Sequence, residues 1–436
     1  MTNRPAFFSI ALAMGLVGAL CGHTLSQDAS TPKPIPQSRA EMLQALDALK
    51  RRTARLPLPP AETPAPPPAP APVASGDTGA ANRGSLGVVN NGIMRSRYLP
   101  AELQTRGVSG QSNADPQMPY EFSTELFWIV SRLNNCHYCL GHQESKLRSV
   151  GVSEETLLAL DTDWASFPEK QQRAFEFTRR LTDAPHTIGD AEIDAIRAHF
   201  SDQQILEMAF LVGRYNSTNR WTDSLGIPQE EHREFASALP QESLTMASQI
   251  RSESIPPRPQ FTQYASWKAE FDKQSMRKPR MAIDAAASSA QQSPHEQLLM
   301  SIPSAGSIYV EQIRNAQTVG KLSNVLKLKI AYVAARQDGA WYMQHVARAR
   351  LLEESMDDEA IFALATNLSD NSADGTALRF ASKLTSQPQQ MSDADVQDLE
   401  KHFSANQIAE IIYHTGLAAI LDRVTEVARL GWAKGR

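Results

Sequence analysis

Apolar residues recur at three- and four-residue steps along most of this chain, the period of a helix with one buried face. Ile205, Met208, Ala209, Val212 and Tyr215 keep that spacing, and Ser201 stands three residues before Gln204 as a capping box requires. A second segment repeats the arrangement, with Ser404 and Gln407 followed by Ile408, Ile411, Ile412 and Thr415. Upstream, Phe122, Leu126, Ile129 and Leu133 mark one helix, and Leu157, Leu158 and Leu160 another. No stretch alternates at period two with β-branched residues, so the pattern predicts an all-α protein.

The two capped helices belong to a longer repeat. Shifted by 203 residues, 173–185 (RAFEFTRRLTDAP) falls on 376–388 (TALRFASKLTSQP), and 16 of the 52 positions in 174–225 are identical without a gap. Unrelated chains of average composition agree at roughly 6%. Solenoid units run to about 20–50 residues, so each copy is expected to be a domain-sized helical bundle, 85–240 and 293–436, with the two packed together. A linker, 241–292, with PPRP at 256–259, joins them. Carried upstream, the same offset sets Gly339 against Cys136, Tyr342 against Cys139 and His345 against His142. The second copy then lacks thiols and reads as a scaffold completing the assembly, a cysteine-free second active site being the alternative. His199 and His402 also match and read as structural; Arg220 and Arg423 match and are expected to pair with acids.

The N-terminal 84 residues have a different pattern. A short basic start, an uncharged run over 6–20 and small or polar residues after it give 1–27 the layout of a secretory signal. The run is shorter than the roughly twenty residues of a membrane span, and an uncleaved anchor tethering the chain to a membrane is the alternative. Cys21 stands where a lipoprotein cysteine would, behind a bulky Leu20. The expectation is export to the periplasm or cell envelope. Residues 28–84 read as a Pro/Ala-rich disordered spacer, within which Met42, Leu43, Leu46 and Leu49 allow a short amphipathic helix over 38–55.

Charge and cysteine content then narrow the function. With 43 Lys and Arg against 48 Asp and Glu in 436 residues, and no dense basic run, nucleic acid is excluded as a partner. Three cysteines cannot build a disulfide framework, and loss of the signal would leave Cys136 and Cys139. Residues three apart lie about 60° apart on a helix face, and His142 follows Cys139 by the same step. A helix N-terminus and a nearby imidazole lower a thiol pKa, so one cysteine becomes the nucleophile and the other resolves its oxidised form. His137, between them, is a second candidate for tuning the thiolate. In an oxidising compartment the pair is expected to rest as a disulfide. Leu140 stands where haem attachment needs histidine, and a closed zinc site has no fourth ligand, so no cofactor and no metal are expected. A plain structural disulfide is the competing reading, although it cross-links almost nothing within one helix.

The stretch LNNCHYCLGH, following a helix with an acidic residue, together with YNSTNRWTDSLGIP at 215–228, resembles the carboxymuconolactone decarboxylase superfamily, and its CxxC branch, alkylhydroperoxidase D (AhpD). The resemblance covers both copies, about 300 residues, and implies small helical units that assemble as homo-oligomers. By position it implies a peroxide-reducing enzyme in which Cys139 attacks the peroxide, Cys136 completes the disulfide, and His142 and Glu125 relay protons, with an external thiol as reductant. His142 lies three residues after Cys139 where the family places its histidine four after, and the acid is one residue out of register. Glu121 and Glu144 are the fallback acids. The alternative function is a non-catalytic, or cysteine-independent decarboxylase-like, helical assembly module.

Overall fold

Helices start where the sequence supplies caps. Ser201 Oγ accepts from the Gln204 backbone N–H at 3.3 Å while Gln204 Oε1 accepts from the Ser201 N–H at 3.1 Å, and Ser404 and Gln407 repeat both bonds. The computed structural model describes residues 29–58, 89–104, 118–251, 256–281, 292–303 and 305–433. The signal segment with Cys21, and the spacer beyond Leu58, lie outside the described residues. In chain order the helices are α1 (Arg39–Ala48), α2 (Asn91–Tyr98), α3 (Tyr120–Leu133), α4 (His137–Ser149), α5 (Glu154–Thr162), α6 (Glu169–Asp183), α7 (Asp190–Arg197), α8 (Asp202–Ser224) and α9 (Gln241–Leu244). They continue as α10 (Tyr264–Gln274), α11 (Pro294–Met300), α12 (Ala305–Thr318), α13 (Asn324–Asp338), α14 (Trp341–Glu353), α15 (Asp358–Ala363), α16 (Ala373–Ser386), α17 (Asp393–Glu400) and α18 (Ala405–Ala428). Among the described residues there is no strand, only an isolated bridge between Ser38 and Ala247, and no helix long and apolar enough to cross a membrane.

The helices α3 to α8 recur as α13 to α18, but not at one offset. Asn135 and Gly339 both take left-handed backbone, φ 54° and 68°. Cys136 (φ −86°, ψ 90°) and Ala340 (φ −84°, ψ 86°) then cap α4 and α14 alike. The offset before α5 and α15 is therefore 204, and the second copy has one residue fewer before α16. This corrects the sequence alignment at the site: Ala340 stands opposite Cys136, Met343 opposite Cys139 and Val346 opposite His142. His345 instead stacks on Trp432, with ring centroids 4.8 Å apart, and burial lowers its pKa to about 4.

The copies meet across α8 and α18 about an approximate two-fold axis. Arg220 Nη2 donates to the Thr385 carbonyl at 3.0 Å, and its equivalent Arg423 donates to the Thr182 carbonyl at 2.8 Å. Arg258 bonds the Asp183 carbonyl at 2.9 Å and the equivalent Ser386 carbonyl at 3.1 Å, which sets its guanidinium on the axis. Contacts in which i meets j and j meets i are the signature of two-fold packing. Gly213 is needed at the crossing, because a Cβ there would lie 2.8 Å from Ile420 Cα; Gly416 faces Ser217, the residue equivalent to Ile420, in the same way.

Two segments read as spacer and linker are folded. Within 28–84, residues 29–58 pack on the first copy, with Met42 and Leu46 fully buried. Within 241–292, α10 buries Trp267 and Phe271 against α13 and α14. Each bundle alone leaves an apolar helix face open, and the preceding segment covers it.

Candidate functional site

The turn from α3 to α4 carries the two thiols. Asn135 turns the chain sharply, a position where asparagine is tolerated, and Cys136 caps α4 from outside the helix while Cys139 lies in its first turn. Both are free and buried, 1% and 3% exposed. Each sulfur lies 3.2 Å from Thr222 Oγ1 on α8, whose hydroxyl also donates to the Thr218 carbonyl at 3.0 Å. Burial drives both thiols toward the neutral form, and the two diverge because their neighbours differ. Burial, with Cys139 beside it, pushes the Cys136 thiol well up. For Cys139 hydrogen bonds from Cys136, Thr222 and Asn219 outweigh burial and hold the thiol below its usual range. The two thiols thus differ in acidity, Cys139 being the more readily ionised.

Asn219 is held in turn. Asn134 donates to Asn219 Oδ1 and to Asn216 Oδ1, both at 3.0 Å, and Asn219 donates to Ser131 Oγ at 3.1 Å. Sequence reasoning did not single out Thr222, Asn219 or Asn134, although the first two lie in the 215–228 stretch that carries the family resemblance.

His142, three residues after Cys139 on α4, has partners of its own. Its Nδ1 lies 2.8 Å from the Tyr138 carbonyl and its Nε2 3.2 Å from Glu230 Oε1, which also accepts from the Tyr138 hydroxyl at 3.2 Å. Burial opposes the charge on Glu230, but His142 and Arg233 prevail and hold the carboxyl far below the usual range. Glu230 lies in the loop after α8, outside every spacing pattern in the sequence.

The predicted acids have partners of their own. Glu125 is buried and accepts from Gln171 of α6 at 2.9 Å. In the second copy Lys329 and Asp374 occupy the same two positions and pair at 2.6 Å, so this is a tie between equivalent helices. Burial lifts the Glu125 carboxyl to about 7. Glu144, fully buried, is clasped by Arg39 of α1 and accepts from Arg148 at 3.3 Å and Trp128 at 3.4 Å. Glu121 is exposed on the first turn of α3. His137, bonded to Asn135 Oδ1 at 2.9 Å, has its pKa driven well down by burial and by Lys33, Arg132 and Arg52, which keeps it neutral.

The N-terminal segment roofs this turn. Lys33 bonds Asp223 and the Asn135 carbonyl, and Asn135 donates to the Pro34 carbonyl at 3.1 Å. Between this roof and Asp393 at the start of α17 lies a cavity of about 760 Å³, walled by Lys33, Arg52, Arg55 and His137. Among the described residues no three His, Cys, Asp or Glu side chains converge as metal ligands.

No family model matches the chain. Over 104 residues it is 26% identical to the uncharacterized protein YnjA of Escherichia coli (strain K12), which is 23% of this chain and 57% of that protein. Over 102 residues it is 26% identical to the uncharacterized protein YdfG of Bacillus subtilis (strain 168), 22% of this chain and 68% of that one. The chain therefore matches little more than half the length of YnjA, and these names describe no activity.

Proposed function

We propose that the chain is an exported AhpD-like thiol peroxidase whose working pair is Cys139 and Cys136. The observation that carries this reading is the divergence of two adjacent buried thiols on one hydroxyl, with the lowered one at a helix N-terminus. The Cys139 thiolate attacks one oxygen of a peroxide, forming the S–O bond as the O–O bond breaks. The departing alkoxide takes a proton and leaves as alcohol. The Cys136 sulfur then displaces hydroxide from the Cys139 sulfenic acid, giving the disulfide and, with a proton, water. Two equivalents of an external thiol restore the dithiol by exchange and leave as their own disulfide. Thr222 has one hydroxyl proton, and turning it from the Thr218 carbonyl to the Cys139 sulfur lets the same oxygen accept from Cys136. The second copy, with Ala340 and Met343 at the thiol positions, serves as scaffold.

The test is peroxide consumption coupled to mass spectrometry. Cys139→Ser should abolish turnover, since a hydroxyl without a strong base is a far weaker nucleophile. Cys136→Ser should react once and stop as a sulfenic acid on Cys139. Wild-type thiols lost to peroxide no faster than free cysteine would refute the peroxidase and leave the assembly-module reading, which the burial of both sulfurs favours.

A further inference from the structure

Where α6 and α16 end, a second cavity of about 310 Å³ lies between the copies, at the small end of the roughly 300–1,000 Å³ typical of ligand pockets. Arg220, Arg251 and Arg258 line it with His186 and Asn134, and Asp183 is the one acid on its described wall. Arg220 is 1% exposed, and all its hydrogen bonds go to neutral oxygens: Asn216 O and Oδ1, at 3.2 and 2.8 Å, and the Thr385 carbonyl. Its Nε has no partner, nor has the Nε of Arg258. The two carbonyl bonds of Arg258 use two of its five donors, and its carboxylate contact is a long one, 3.9 Å to Asp338, as is that of Arg251, 3.7 Å to Asp183.

The second copy shows what the first lacks. Arg423, the equivalent of Arg220, pairs with Asp338 at 2.9 Å. At the 204-residue offset that holds before α5, the position of Asp338 belongs to Asn134, which is neutral. The first copy thus keeps the buried guanidinium without the carboxylate that accompanies it in the second, although a buried cation is costly unless paired. Guanidinium forks match carboxylate and phosphate oxygens.

We infer that this cavity is a binding site for a small oxyanion, a carboxylate or a phosphate, held by Arg220 and Arg258 and supported by Arg251. The site needs no thiol chemistry, and anion binding is read without it, although Asn134 on its wall also holds Asn219 beside Cys139. Calorimetric titration of the full chain with inorganic phosphate, acetate and succinate at fixed ionic strength separates the two ligand classes. One saturable site per chain is expected for at least one of them, with a matching rise in melting temperature. Asn134→Asp supplies in the first copy the carboxylate that Asp338 supplies in the second, and should weaken binding at least tenfold in a folded chain. Arg258→Gln should do the same; if it does not fold, Arg251→Gln, at the more exposed edge, takes its place. No saturable binding of any of the three anions overturns the inference, as does undiminished binding in the folded variants.

Discussion

Cys136 and Cys139 are the same residue type three positions apart, and their difference arises from the hydrogen bond between them together with those from Thr222 and Asn219 on another helix. Thr222→Val keeps the side-chain volume and removes the hydroxyl. A hydrogen bond to a charged group is worth about 1.5–3 kcal/mol, and 1.36 kcal/mol is one pKa unit. The Cys139 thiol should therefore rise by about one unit or more, and alkylation at pH 7 should slow roughly tenfold. A pH profile of the alkylation rate measures this; an unchanged profile would show that Thr222 does not tune the thiol. Glu125 gives a second expectation at this scale. Its carboxyl is raised from 4.5 to about 7 in the folded chain, so the folded state binds the extra proton. Its ionisation costs nothing below about pH 4.5, and stability falls as pH rises from there through about 7. Glu125→Gln removes that loss while keeping the acceptor for Gln171. Its melting temperature should exceed that of the wild type at pH 8, by the equivalent of roughly 3 kcal/mol, and by much less at pH 5.

The N-terminal segment matters as an element because it completes the first bundle's electrostatics. In the second copy Arg348 pairs directly with Asp358 at 2.6 Å. The equivalent residues in the first are both acids, Glu144 and Glu154, and the cations joining them are Arg39 of α1 and Arg148. Arg39→Met would leave Glu144 buried with only the contacts of Arg148 and Trp128, a loss of about 3 kcal/mol on the scale of broken buried pairs. Urea denaturation should show the midpoint falling at constant slope. A midpoint within error of the wild type would mean that α1 is held by Met42 and Leu46 alone.

The whole molecule depends on the close crossing of α8 and α18. Gly213→Ala gains up to about 1 kcal/mol of helix propensity, but places a methyl 2.8 Å from Ile420 Cα, and overpacking a tight contact costs typically 1–3 kcal/mol. A net destabilisation of about 1 kcal/mol is expected by thermal unfolding. A stabilised variant would show that the helices separate easily and that the copies are only loosely joined.

The sequence by itself determined the helical class, the duplication and the caps at Ser201 and Ser404, and it drew attention to Cys136 and Cys139 as a pair. These are local or periodic signals: a cap acts within four residues, and a buried helix face repeats every three to four positions. The tertiary structure decided the rest. Glu125 has an acid's suitability for proton relay but faces α6, and rotation about a helix axis is invisible until the neighbouring helix is placed. Thr222, Asn219 and Glu230 reach the α3–α4 turn only because α8 folds back over it. Residues 29–58 and α10 looked like connectors because their apolar residues are few; they fold because each bundle leaves a face that only a further helix can cover. One residue fewer before α16 moved the alignment at the thiols by one position, and only the matching turns at Asn135 and Gly339 reveal it.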